Sequence, residues 1–340
     1  MDQPCAADRR RTAVGLWLLV VAVMILVNVA LGGLTRLTGS GLSMVAWQPF
    51  TLLPPMSDAG WEEMFARYQD SPQFRLVNDT MTLEGFKGIF WLEFVHRLWG
   101  RGLGLAFLAP LVVFIWRGFV TRAEIPAFAL LFLLGGAQGA LGWAMVASGL
   151  KDRPEVSHYF LAGHLVFALL LYAALLWAGF SRMKPPPPWE GAGTARRHLA
   201  VLLALLFVTI PVGGLVAGLH AGLIYNSFPL MGDRLLADDA WEMTPVWLNF
   251  LANPVMVQFL HRVLASLSWL TALSLLPAAL RRDLPGELRW KLALVPAFAT
   301  LQFALGVATL LNYVPIALAV PHQVDAFLLF GAALWAYVAL

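Results

Sequence analysis

Glu93-Phe94-Val95-His96-Arg97-Leu98-Trp99-Gly100-Arg101 interrupts an apolar run, from Gly88 to Trp116, that is long enough to cross a membrane. A charged side chain at bilayer depth costs roughly 2.5–3.5 kcal/mol on insertion scales, so four ionisable groups packed this closely mark a functional site. On a helix Glu93 lies three residues from His96 and four from Arg97, and Arg101 follows one turn on, so these side chains share a face. The bland alternative for this stretch alone is a Glu–Arg pair holding two helices together. A second copy of the stretch weighs against it.

Outward from there, the chain of 340 residues is 59% hydrophobic and 13% charged, with mean hydropathy +0.72, more apolar surface than a soluble domain of this length needs. It reads as an all-α integral membrane protein. Eight apolar runs reach spanning length, near residues 12–34, 88–116, 126–147, 158–180, 197–219, 254–280, 291–312 and 321–340. Arg9, Arg10 and Arg11 ahead of the first run resemble a signal peptide, but the run is long enough to span and reads as a retained helix. Of the 23 Lys and Arg residues, thirteen fall in the loops on the side of the termini, seven in the opposite loops, and Arg97, Arg101 and Arg262 within spans. The positive-inside rule makes both termini cytoplasmic. Cys5, the one cysteine, excludes an intrachain disulfide and a cysteine metal cluster. Membrane lipid is the surrounding partner, and nothing points to nucleic acid.

Two outer loops, 35–87 and 220–253, are rich in Trp, Pro and Gly and read as ordered caps, with Trp47, Trp61, Trp241 and Trp247 suited to an aromatic belt at headgroup level. On the inner side Lys184-Pro185-Pro186-Pro187-Pro188 reads as a stiff linker that divides the chain into residues 1–184 and 185–340.

The halves on either side of the linker match. Gly32-Gly33-Leu34 with Gly41-Leu42 recurs as Gly213-Gly214-Leu215 with Gly222-Leu223; Phe94-Val95-His96-Arg97 recurs as Phe259-Leu260-His261-Arg262; Gln138 with Ala140-Leu141-Gly142 recurs as Gln302 with Ala304-Leu305-Gly306. Both halves start on the cytoplasmic side with four spans each, so the repeat is parallel and predicts two four-helix bundles side by side.

Four histidines fall on the even-numbered spans, toward their outer ends: His96, His164, His261 and His322. One pair per bundle, on facing helices, is the arrangement that clamps a haem iron through two axial imidazoles. A lone intramembrane histidine is more often a hydrogen-bonded helix contact; four at similar depth, paired by the repeat, reverse that reading. His158, His198 and His220 carry weaker signals, and His220 is left without a role. Glu93 becomes Gln258 and Arg101 becomes Ser266 in the second half. Gln258 keeps the shape without ionising, so the first bundle handles a proton or cation and the second holds a cofactor. Arg97 and Arg262 suit haem propionates as bidentate donors, and Arg97 equally suits neutralising Glu93. Asp325, about one turn from His322, is a candidate hydrogen-bond partner for it.

Over essentially its full length the chain resembles the haem A synthase family of mitochondria and many Gram-negative bacteria. The motifs are Gly32-Gly33-Leu34-Thr35-Arg36-Leu37-Thr38 with Ser40-Gly41-Leu42-Ser43-Met44, the Glu93 to Arg101 stretch, Gly149-Leu150-Lys151-Asp152-Arg153-Pro154, Ala221-Gly222-Leu223-Ile224-Tyr225-Asn226-Ser227-Phe228-Pro229-Leu230-Met231-Gly232, and Gln258-Phe259-Leu260-His261-Arg262. The resemblance implies an inner-membrane enzyme that oxidises the C8 methyl of haem O, through a hydroxylated intermediate, to the formyl of haem A for cytochrome oxidase. It implies that His96 and His164 serve the substrate haem, that His261 and His322 hold a haem b cofactor, and that Glu93 is catalytic; the reading of the residues adds Arg97 to the first site and Arg262 to the second. Haem O synthase and oxidase assembly factors are the implied partners, and self-association is compatible with them. Some bacterial members carry a cysteine pair in an outer loop; this chain has none, so no thiol-linked step operates here.

The main rival is a di-haem b membrane cytochrome that only carries electrons, which needs the histidines but not the Glu93/Gln258 asymmetry. A solute transporter fits a parallel repeat, but no matched pair of short, Gly/Pro-broken spans marks a transport site. Glu93→Gln, which copies Gln258, is expected to keep the fold and haem b content while haem O accumulates.

Overall fold

The computed structural model describes residues 6–45, 53–150, 154–183, 189 and 192–340. Cys5, Trp47, Lys151, Asp152, Arg153 and the 184–188 linker lie outside the described residues. Eight helices are long and apolar enough to cross a membrane: α1 Ala6–Leu37, α2 Leu83–Trp116, α3 Ile125–Gly149, α4 His158–Phe180, α5 Ala192–Gly218, α6 Pro254–Leu273, α7 Gly286–Leu311 and α8 Ile316–Ala339. A spanning helix satisfies its backbone internally, and among the described residues no strand forms beyond one isolated bridge, Met231 with Arg234.

Two boundaries differ from the expected spans for identifiable reasons. Helix α2 begins five residues early because Thr82 caps it, its side chain accepting from the Gly85 N–H. His96 is therefore thirteen residues past the helix start, whereas His164, His261 and His322 lie six or seven past theirs. Helix α6 stops at Leu273, and a separate turn, Leu276–Ala279, carries Pro277, which cannot continue a helical hydrogen-bond ladder.

Helices α1, α4, α5 and α8 form the middle, with α2 and α3 on one flank and α6 and α7 on the other. The packing has the pattern a parallel repeat requires: α1 against α2 and α4 matches α5 against α6 and α8, α3 against α4 matches α7 against α8, and α1 against α8 matches α5 against α4. The bundles share one core. Leu18 and Ala22 of α1, Leu169 of α4, Leu199 and Leu202 of α5, and Phe327 and Ala333 of α8 belong to a single buried cluster. That apolar seam holds two of the four histidine-bearing helices, α4 and α8, against α1 and α5.

The described residues of both long loops form ordered caps. In the first, helices Asp58–Gln69 and Pro72–Val77 are capped by Ser57 and Ser71 and bury Tyr68 on Phe86 and Phe90. Trp61 packs 5.0 Å from Phe90 in this cap, whereas Trp241 and Trp247 of the second loop are exposed. In the second, Met231 and Ala240 pack on Val255 and Met256, and Asn253 donates to the Asp239 carbonyl and to Asn249 Oδ1.

Candidate functional site

Each intramembrane histidine on an even-numbered helix lays its ring against a glycine of an odd-numbered one. A Cβ on Gly32 of α1 would lie 3.2 Å from His96 Nε2; on Gly142 of α3, 3.0 Å from His164 Cε1; on Gly213 of α5, 3.0 Å from His261 Cε1; and on Gly306 of α7, 2.8 Å from His322 Cε1. Carbon atoms pack well at roughly 3.5–4.0 Å, so only a residue without a Cβ lets the rings come this close. These four glycines were missed in the sequence as partners of the histidines. The signal was there, because Gly32 repeats as Gly213 and Gly142 as Gly306, but nothing local couples a glycine to a ring on another helix.

The rings of His96 and His164 thus sit on glycines of α1 and α3, and those of His261 and His322 on the matching glycines of α5 and α7, two imidazoles in each bundle. Nδ1 of His164, His261 and His322 is buried without a hydrogen-bond partner. Gln138 of α3 directs its amide nitrogen to His164 Nε2 at 3.1 Å and donates to the His164 carbonyl at 3.0 Å. Among the described residues no three His, Cys, Asp or Glu groups gather, so each pair offers two protein ligands. Two is the number a porphyrin leaves open on its iron, and the glycine-seated rings fit that role.

Beside the first pair, Glu93 is buried, and both its oxygens are engaged. Oε2 accepts from Ser43 Oγ at 2.6 Å and from the Met44 N–H at 2.7 Å, and Oε1 accepts from Arg97, which also donates to the Met44 carbonyl at 3.0 Å. The equivalent place in the second bundle has reversed polarity. Gln258 Nε2 donates to the carbonyls of Ala221 at 2.7 Å and Ile224 at 2.6 Å, and its Oε1 accepts from Arg262 at 3.0 Å. Arg262 also donates to the carbonyls of Tyr225 at 2.7 Å and Ser227 at 2.9 Å. By the repeat Ser43 and Met44 correspond to Ile224 and Tyr225. Each bundle therefore pins the same outer segment to its histidine-bearing helix, one by accepting from it and the other by donating to it. Arg97 pairs with Glu93, as one of the two expectations for it had it.

This reversal sets what a Glu93→Gln side chain would meet. A glutamine at position 93 would turn amide hydrogens on the Met44 N–H or on the Arg97 guanidinium, leaving buried donors facing donors. The proposed link between Asp325 and His322 is also absent: both Asp325 oxygens and His322 Nδ1 are buried without partners, although the residues are one turn apart. His220, left without a role in the sequence, accepts a positive φ of 51° and places Nε2 2.9 Å from Glu155 Oε2, joining the outer loops of the two halves. His198 meets Ser274 Oγ at 3.0 Å on the exposed surface, and His158 lies at the rim against Gly218.

Residues 15–334 match the family model described as cytochrome oxidase assembly protein. Haem A synthase of Rhodospirillum centenum is 48% identical over 338 residues, 98% of this chain and 90% of that protein. Haem A synthase of Granulibacter bethesdensis is 48% identical over 330 residues, covering 96% of this chain and 87% of that protein. Haem A synthase of Nitrosospira multiformis is 41% identical over 342 residues, covering 98% and 94%.

Proposed function

The chain belongs to the cytochrome oxidase assembly protein family, and we propose on that premise that it oxidises the C8 methyl of haem O to the formyl of haem A for cytochrome oxidase. The observation that carries this reading is one imidazole pair in each of two bundles, with the carboxylate and its guanidinium beside the first pair and an uncharged amide beside the second. The first bundle, within residues 1–184, is assigned to substrate haem O through His96 and His164. The second, within 185–340, is assigned to a haem b cofactor through His261 and His322. Haem b supplies one-electron chemistry when bound.

Methyl to formyl with water as the source of oxygen releases four protons and four electrons, so the reaction is an oxidation of a CH group that needs an electron acceptor. Arg97 fixes Glu93, and Glu93 fixes the Ser43–Met44 segment to α2; with haem O held by the first pair, this carboxylate would supply negative charge to stabilise positive charge that develops on the substrate. Arg97 and Arg262 act on outer-loop carbonyls and hold the caps over both pairs. The same reading places the chain in the cell inner membrane with both termini cytoplasmic, taking haem O from a haem O synthase and passing haem A to oxidase assembly factors.

Mass analysis of the pigment extracted from the purified protein tests the assignment against an electron-carrying di-haem cytochrome. Haem b together with haem O, a hydroxylated haem or haem A is expected. Two equivalents of haem b and nothing else would overturn it.

A further inference from the structure

Each bundle buries a carboxylic acid near its histidines, and the two are held in opposite ways. In the first, Glu93 accepts from Ser43, Met44 and Arg97. In the second the acid is Asp325 of α8, 3% exposed, and neither of its oxygens meets a donor. The repeat that aligns His164 with His322 aligns Phe167 with Asp325, so the second bundle carries this acid where the first is apolar. Successive residues of a helix turn by about 100°, which sets Asp325 about 60° from His322 and about 160° from both Gln323 and Phe327. Gln323 donates to the Val29 carbonyl of α1 at 3.1 Å and Phe327 packs 5.4 Å from Tyr172 of α4, whereas His322 lies on Gly306 of α7. Asp325 is thus turned away from the first bundle and into the second, on the face of α8 that carries the histidine. Two basic groups of that bundle are engaged elsewhere, Arg262 with Gln258 and the Tyr225 carbonyl and Lys291 with Glu287.

A carboxylate taken out of water without a donor or a cation is costly, so this one calls for a partner that the side chains around it do not supply. We propose that Asp325 is the counter-charge of the haem in the second bundle: its carboxylate stabilises the oxidised haem and so lowers the reduction potential. The inference rests on the assignment of haem b to His261 and His322 and deepens it. A porphyrin binds iron as a dianion, so with two neutral imidazoles the ferric centre carries net positive charge and the ferrous centre none. A fixed negative charge in a protein interior therefore favours the ferric form. At an effective dielectric constant of about 20, a unit charge within roughly 10 Å shifts such an equilibrium more than tenfold. Only an electron moves in that change; no bond is made or broken at Asp325. A low potential suits a haem that must pass the substrate's electrons on to an acceptor. In the first bundle the charge of Glu93 is matched by Arg97, which offsets its field at the first site.

Redox titration of the haem b spectrum in the purified full-length protein tests this. Asp325→Asn, nearly the same shape without the charge, is expected to raise the ratio of ferrous to ferric haem b at least tenfold at a fixed ambient potential, a shift of about 59 mV for one electron. Asp325→Glu should stay close to the unmodified protein. A residue that only packs α8 would alter haem content or thermal stability and leave the potential where it was. An unchanged or lowered potential in Asp325→Asn overturns the proposal. Should that variant lose haem b, the linked measurement decides. A charge that stabilises the ferric state must be missed at least tenfold more by ferric than by ferrous haem, read as the haem b retained after purification in air and after purification under dithionite. Equal loss in the two states overturns the proposal. Failure of the underlying assignment is visible separately, as a haem b spectrum that survives His322→Ala.

Discussion

The outer segments after α1 and α5 are pinned to α2 and α6 at equivalent points, yet the pins have opposite polarity. Glu93 accepts from Ser43, Met44 and Arg97; Gln258 donates to Ala221 and Ile224 and accepts from Arg262. A duplicated fold can thus keep a contact while changing the charge at its centre, provided the backbone on the other side presents N–H groups in one copy and carbonyls in the other. What looks in one dimension like the loss of a catalytic group is in three dimensions a matched change of two surfaces. The copies also differ between their flanking helices, where Trp269 stacks on Phe303 in the second and glycines, Gly104 and Gly139, stand at the matching positions of the first.

The largest effect that would break this comparison concerns the histidines. His322→Ala or His261→Ala should abolish the low-spin haem b spectrum, while His96→Ala or His164→Ala should leave it and remove haem A formation. A spectrum insensitive to His322 would end the division of labour between the bundles.

Next in size are the polarity exchanges. Glu93→Gln and Gln258→Glu should each destabilise the protein by about 1–3 kcal/mol, the cost of leaving buried polar groups without complementary partners. Thermal unfolding in detergent reads this directly, and an unchanged midpoint in both variants would show that the outer segments are not held by these side chains. In Glu93→Gln haem O or a partly oxidised haem should also accumulate at the expense of haem A.

Smaller effects are expected from the glycines under the rings. Gly306→Ala should weaken haem b binding roughly tenfold, as changes just behind a metal ligand do, and shift the electron paramagnetic resonance of the low-spin iron, because His322 must rotate away from a Cβ. Gly142→Ala should leave that resonance alone and act on haem O. Identical spectra for both variants would erase the distinction between the pairs.

The smallest effect lies at the start of α3. Burial pushes the Glu124 carboxyl up, but hydrogen bonds from Thr121 and Arg182 outweigh it and hold the group below the usual carboxylate range. Its contribution is therefore present at neutral pH and is lost as pH falls through the lowered value. With both side chains partly exposed, Glu124→Gln should cost about 0.2–1 kcal/mol, measured as a shift in thermal midpoint that disappears in acid.

The sequence by itself determined the eight spans, their parallel repeat and the four histidines, because each signal is local or periodic. Apolar length fixes a spanning helix whatever it packs against, and a repeat is visible in one dimension. It also located Glu93 and Arg97, since charge inside an apolar run is conspicuous. Only the tertiary structure decided what those residues touch. The seating of His96 on Gly32 or of His322 on Gly306 joins residues on different helices, and Asp325, one turn from His322 in sequence, makes no bond to it. Whether position 93 must accept or donate depended on which backbone groups of the segment after α1 turn toward it. Which helices stand in the middle was likewise a matter of packing: α1, α4, α5 and α8 bury apolar faces on one another, and no single helix sequence states its neighbour.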